Sequence, residues 1–172
     1  MDSLEMSQLA IAGDEEAFLA LMQLHKEALL RTAFAFLKDE HSALEALQET
    51  TYRAYMKIHT VKNPAYLKTW LIRIMMNYCQ DQLKTNKRLV MDGRANEAGT
   101  TSNFEQLELA EALASLNEKE QQLIYLKYFQ DIKIKDIAAL EKVPEGTIKS
   151  RLHKTLRTLR RHFEGKGEMD HV

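Results

Sequence analysis

The chain reads as an all-α protein of two small helical lobes joined by a flexible linker, the second lobe carrying a helix-turn-helix. Three observations say so. Apolar residues recur at helical spacing over four long stretches, no strand-like alternation of useful length occurs, and a segment rich in Gly, Asn, Ser and Thr interrupts the pattern. The composition agrees: 45% hydrophobic and 28% charged residues with only 6 Gly and 2 Pro suit a helical globular chain, not a disordered or fibrous one.

In chain order, a short helix is expected around Leu4–Ala12. A second runs from Asp14 to about Leu37, with Phe18, Leu21, Met22, His25, Leu29, Thr32, Ala33 and Phe36 along one face. A third spans Ser42 to about Ile58, with Leu44, Leu47, Thr51, Tyr55 and Ile58 as its apolar stripe. Asn63-Pro64 opens a fourth. Asn suits the N-cap, and Pro at the first helical position has no N–H to leave unpaired. Leu67, Trp70, Leu71, Ile74 and Tyr78 then carry one face toward Leu83. From about Asn86 to Ser102 the composition is that of a linker, which divides the chain into lobes at 1–87 and 105–172 with a spacer at 88–104. Beyond it Phe104, Leu107, Leu109, Leu113 and Leu116 begin a second helical unit, and Asn117 with Glu120 makes a capping-box start for a helix over Lys119–Phe129.

The stretch from Ile134 to His153 fits a helix-turn-helix. Ile134, Ile137 and Ala138 share one face of a short helix, and Val143 fills the space under the turn. Pro144-Glu145-Gly146-Thr147 starts a second helix whose stripe is Ile148, Leu152, Leu156, Leu159 and Phe163. Lys142 stands in the turn where many such segments have Gly, so the turn must avoid or tolerate a left-handed residue. The other side of the second helix holds Thr147, Lys149, Ser150, Arg151, His153, Lys154 and Arg157. These are the donors that a helix in the major groove needs for base edges and phosphates. Arg157, Arg160 and Arg161 suit phosphates or simply a solvated helix end.

The charge is laid down in blocks. Residues 1–60 carry 5 basic and 10 acidic side chains, 61–94 carry 7 and 2, 95–145 carry 5 and 10, and 146–172 carry 7 and 3. A net charge of −1 therefore conceals two cationic segments, and counterion release depends on local cationic surface. The same alternation also serves a helical protein that merely stays dissolved.

Several classes are disfavoured. No apolar run approaches a membrane span, and the acidic start at Met1–Glu5 lacks the features of a signal peptide, so a cytoplasmic location is expected. The six His show no metal-ligand spacing, and Cys79 sits among Met75, Met76 and Leu83 as a packing residue. No phosphate loop or nucleophile motif occurs, so neither an enzyme nor a metal or cofactor site is expected. A free-standing helix-turn-helix regulator and an adaptor using its helices only for protein contacts remain as alternatives. The second basic segment at 61–94 argues against both.

Leu116-Asn117-Glu118-Lys119-Glu120, together with the run from Glu145 to Leu152, resembles the promoter-binding domain of extracytoplasmic-function (ECF) sigma factors. Ala43–Glu49 resembles the helix by which that family grips the polymerase clamp, with Glu45-Ala46 where Asp-Leu is common. Thr69–Asn77 resembles its promoter-melting helix. The resemblance covers nearly the whole chain in the right order. It implies a transcription initiation factor whose partners are core RNA polymerase, promoter DNA and an anti-sigma factor, with no small-molecule substrate. Core contacts would then come from Glu45, Gln48, Glu49 and Arg53. Minus-ten recognition and melting would use His59, Lys62, Tyr66, Lys68, Trp70, Arg73 and Asn77, with the base-capturing loop at Thr60–Ala65. Trp70 also lies on the apolar stripe and reads more readily as a core residue. The minus-thirty-five element would be read by Thr147, Lys149, Ser150, Arg151, His153 and Lys154.

Overall fold

Three aspartates punctuate the first part of the chain, each placed to accept from a backbone N–H three residues on. Asp2 accepts from Glu5, Asp14 from Ala17 and Asp39 from Ser42, each at 2.8 Å. They start α1 (Ser3–Ile11), α2 (Glu15–Leu37) and α3 (Glu40–Lys57) by satisfying donors that a helix start leaves free. Gly13, at φ 105°, makes the turn between α1 and α2, a conformation that side chains other than glycine rarely adopt. After a 3-10 turn at Ile58–Thr60, Asn63 accepts from the Ala65 N–H at 3.0 Å and Pro64 opens a second 3-10 turn, Pro64–Tyr66. This leads into α4 (Leu67–Met91). In this computed structural model the described residues are 1–93 and 111–169, with side chains to 165. All their regular structure is helical. The chain divides into two compact units, Met1–Ala98 and Gly99–Val172.

In the first unit α2 packs on α1, α3 and α4, and α3 packs on α4. Leu21 and Leu29 of α2 meet Leu67, Leu71, Ile72, Met75 and Met76 of α4 in a fully enclosed core. Each such side chain contributes about 1.5–3 kcal/mol by leaving water. The α2 stripe is the expected one from Phe18 to Ala33, with Ala17 and Ala28 added and His25 and Phe36 half-buried.

Two expected faces are corrected. Helix α3 buries Ala43, Ala46, Thr50 and Ala54 and leaves Leu44 and Tyr55 exposed, a rotation of about one residue from the stripe of large side chains. Small residues let α3 lie close to α4, where the Thr50 hydroxyl donates to Met75 Sδ at 3.5 Å. Helix α4 buries Leu67, Leu71, Ile72, Met75, Met76 and Cys79, which leaves Trp70, Ile74 and Tyr78 at the margin, half-buried. The helix also runs on through Met91, so residues 86–91, expected in the spacer, are helical. Residues 94–110, which take in the rest of that spacer beyond Gly93 together with Phe104, Leu107 and Leu109, lie outside the described residues.

In the second unit, residues 111–114 are helical and α5 (Glu118–Ile124) begins with a full capping box. Asn117 Oδ1 accepts from the Glu120 N–H at 2.8 Å, and Glu120 Oε1 accepts from the Asn117 N–H at 3.2 Å. A π-helical turn, Tyr125–Phe129, follows, then α6 (Ile134–Glu141) and α7 (Glu145–Met169). Lys142 takes the left-handed conformation at φ 58°, and its N–H closes on the Ala138 and Ala139 carbonyls. The helix-turn-helix thus tolerates a lysine where glycine would be unstrained.

Candidate nucleic-acid and polymerase interfaces

Burial of Ile148, Leu152 and Thr155 fixes how α7 is rotated, because these three face α5 and α6. Leu156 and Phe163, expected on the same stripe, are exposed, and Thr155 takes that place inside. A threonine is tolerated there because its hydroxyl is satisfied. It lies 2.8 Å from the Arg151 carbonyl and 3.3 Å from Glu120 Oε2. One carboxylate therefore caps α5 with one oxygen and meets α7 with the other. The sequence signal was a lone polar residue at helical spacing from Leu152 and Leu159.

With the inner face set, Lys149, Ser150, Arg151, His153 and Lys154 all point to solvent and Thr147 is half-buried. Arg157, Arg160 and Arg161 extend the same exposed cationic surface. Three of these groups are engaged within the unit. Arg151 Nη1 donates to Glu141 Oε2 at 2.9 Å, and Arg157 Nη2 lies 3.1 Å from His153 Nε2.

In the first unit, His59 and Lys62 are exposed at the turn before α4, and His59 borders a hollow floored by Phe18, Tyr55 and Ile58. Trp70, Arg73 and Asn77, at i, i+3 and i+7, share a face of α4 directly after Tyr66. Trp70 is half-buried, so it is neither the enclosed core residue nor a fully free platform. Lys68 is not part of that face. It lies about half a turn away round the helix and acts on His25 of α2.

Burial, and then the Lys68 charge, hold the His25 imidazole below its ordinary value of 6.5. The unfolded chain therefore takes up this proton at a higher pH than the folded unit does. Stability from this group is intact above pH 6.5 and declines as pH falls through 6.5 toward the folded value. We expect urea midpoints to drop between pH 7.5 and 5.5, and the drop to shrink in His25→Gln. An equal drop in that variant would remove His25 as the cause. Asp39 does not interfere. Its hydrogen bonds from Ser42 lower its carboxyl below 3.8, which places its effect at more acid pH.

On α3, Glu45 and Gln48 are exposed and Glu49 and Arg53 half-exposed. Arg53 Nε reaches Glu49 Oε1 at 3.2 Å, and its guanidinium sits 5.2 Å over the Tyr78 ring, tying α3 to α4. On the same helix Leu44, Tyr52 and Met56 are between 48% and 62% exposed. The sequence reading had turned Leu44 inward. Cys79 is enclosed, and burial pushes its thiol up to about 12, which keeps it protonated and inert. Among the described residues no three His, Cys, Asp or Glu come together as a metal site.

Two family descriptions match the chain: Sigma-70 region 2 over residues 21–89 and Sigma-70 region 4 over residues 106–159. RNA polymerase sigma factor SigV of Bacillus subtilis is 31% identical over 140 residues, 79% of this chain and 84% of its own. The chain belongs to the ECF sigma factors of the sigma-70 family. ECF sigma factor SigW of Bacillus subtilis is 25% identical, over 88% of this chain and 91% of its own. The fold agrees with two solved structures. CnrH, in complex with the cytosolic domain of CnrY, superposes with a TM-score of 0.65 at 20% identity, over 95% of this chain and 97% of its own. RpoE of Bartonella quintana, in complex with the anti-sigma factor NepR, gives 0.59 at 23% identity, over 86% and 96%. As a sigma factor the protein acts in transcription initiation. Region 2 takes in α3 and most of α2 and α4, and region 4 takes in α5, α6 and most of α7. No helix among the described residues is long and apolar enough to cross a membrane.

Proposed function

We propose that the two units divide the labour of promoter recognition. The first holds core RNA polymerase through Glu45, Gln48, Glu49 and Arg53 and opens the minus-ten element with the groups around His59 and α4. The second reads the minus-thirty-five element with α7. The observation that carries this reading is the geometry of α7: Ile148, Leu152 and Thr155 are buried inward, so Lys149, Ser150, Arg151, His153 and Lys154 lie on its exposed, cationic side. A helix so presented has the donors for base edges and phosphates. The aromatic-floored hollow beside His59, with Tyr66, Trp70 and Arg73 close in sequence, supports capture of single-stranded bases by stacking and cationic contact. Core polymerase, promoter DNA and an anti-sigma factor are the proposed partners. The protein works in the cytoplasm, without catalysis, cofactor or small-molecule substrate.

The test is a pair of substitutions in reconstituted holoenzyme. If Arg151 contacts a base edge in bidentate fashion, Arg151→Ala costs about 1–3 kcal/mol and relaxes preference at one base pair. If Lys154 contacts phosphate only, Lys154→Ala weakens all sequences alike and lowers the salt slope by about one. Footprinting on minus-thirty-five variants separates the two. Unchanged promoter use by both variants would take α7 out of the mechanism.

A further inference from the structure

Arg151 projects from α7 on the face just assigned to DNA, but it does not hang free. Its Nη1 donates to Glu141 Oε2 at 2.9 Å, across the turn, on the last residue of α6. The Glu141 side chain is 28% exposed and that of Arg151 51%, so the carboxylate is the better-held partner. The turn puts it there. Lys142 in the left-handed conformation and the Val143 N–H bonded to the Ala138 carbonyl at 3.1 Å end α6 abruptly, with Glu141 beside the start of α7.

A guanidinium has five N–H donors in a rigid fork, and Glu141 engages one nitrogen of the three. The remaining donors still suffice for two parallel bonds to a guanine edge. Holding the group by one side removes rotamers that would otherwise reach phosphates in any register. The carboxylate also places a negative charge against the DNA backbone, and only a correctly met base edge offsets that repulsion.

We infer that Glu141 is a specificity-determining positioning residue, which orients the Arg151 guanidinium for one base and weakens its sequence-independent attraction to phosphate. The inference rests on Arg151 facing DNA as proposed above. Half-exposed ion pairs are weak, so the expected effect is a few-fold change, up to about five-fold, in discrimination.

The experiment uses the full chain with core polymerase and a duplex library randomised across the minus-thirty-five element, with bound sequences counted at several salt concentrations. Glu141→Gln keeps the side-chain shape and removes the charge. It should bind non-promoter DNA more tightly, steepen the salt dependence by up to about one unit, and flatten base preference at the Arg151 position. Glu141→Asp keeps the charge but shortens the reach, so it should flatten the same preference with a smaller change in salt slope. In the Arg151→Ala background Glu141→Gln should leave base preference unchanged. Thermal melts identify any variant that fails to fold, and the Asp variant then carries the test. Parental preference in both Glu141 variants, while Arg151→Ala alone relaxes it, would overturn the inference and spare the reading of α7. Loss of no preference on Arg151→Ala would overturn that reading and the inference with it.

Discussion

Ile148→Ala is expected to abolish minus-thirty-five recognition without removing any side chain from the exposed face of α7. Ile148 is fully enclosed, as are Ile137 and Ala138 on α6 to within 3% exposure, and the two helices pack together just beyond the turn. Truncating a buried isoleucine loses the transfer energy of three carbons and leaves a cavity, together about 2–5 kcal/mol. A small helical unit has little stability to spare, because it buries a limited fraction of its surface. The loss therefore translates into a large unfolded fraction and a misplaced recognition helix. Circular dichroism melts should show a lower-temperature transition, and holoenzyme footprints should lose protection over the minus-thirty-five element. Ile148→Val, which costs about 0.5–1.5 kcal/mol, should keep both nearly intact. A parental melt and footprint for the alanine variant would mean that this contact does not hold the recognition helix in place.

The second large effect is expected at the polymerase. Gln48→Ala combined with Glu49→Lys should weaken core polymerase binding by about 2–5 kcal/mol, the range for charged groups lost from a buried interface. The helix itself should survive, since its inward residues Ala43, Ala46, Thr50 and Ala54 are untouched. Glu49→Lys also releases Arg53 from its partner at 3.2 Å and sets two cations four residues apart. Arg53→Ala breaks the same ion pair and also removes a proposed core contact, so it should weaken core binding as well. Co-purification with core polymerase reads the result, with helix content followed in parallel. Retention of core at the parental level by the double variant would move the contact off this face of α3.

How much of this was legible beforehand follows the range of the interactions involved. Capping was legible because it depends on two residues three apart. Asn63 with Pro64, and Asn117 with Glu120, started helices as their identities imply. The helix-turn-helix was legible for a related reason, since Ile137, Ala138 and Ile148 are both its sequence signature and its enclosed contacts. Orientation was harder. On α3 the large side chains Leu44 and Tyr55 suggested the wrong face, because size alone does not say whether a helix packs closely or presents a surface. On α4 the widest buried arc included Ile72, Met75 and Met76, and only contact with both α2 and α3 explains so broad a face.

From its own residues the chain determined that it would be helical, where most helices would start, and which helix would carry a row of cations. These are properties of neighbouring residues in sequence, and backbone capping and 3.6-residue periodicity express them without reference to the rest of the molecule. Only the tertiary structure decided that Thr155 would be buried, with its hydroxyl between the Arg151 carbonyl and Glu120, and that Glu141 would hold Arg151 across a turn. Thr155 with Glu120, and Arg151 with Glu141, are groups ten or more residues apart whose meeting depends on how α5, α6 and α7 pack. A buried hydroxyl or a directed guanidinium is stable only where that packing supplies its partner.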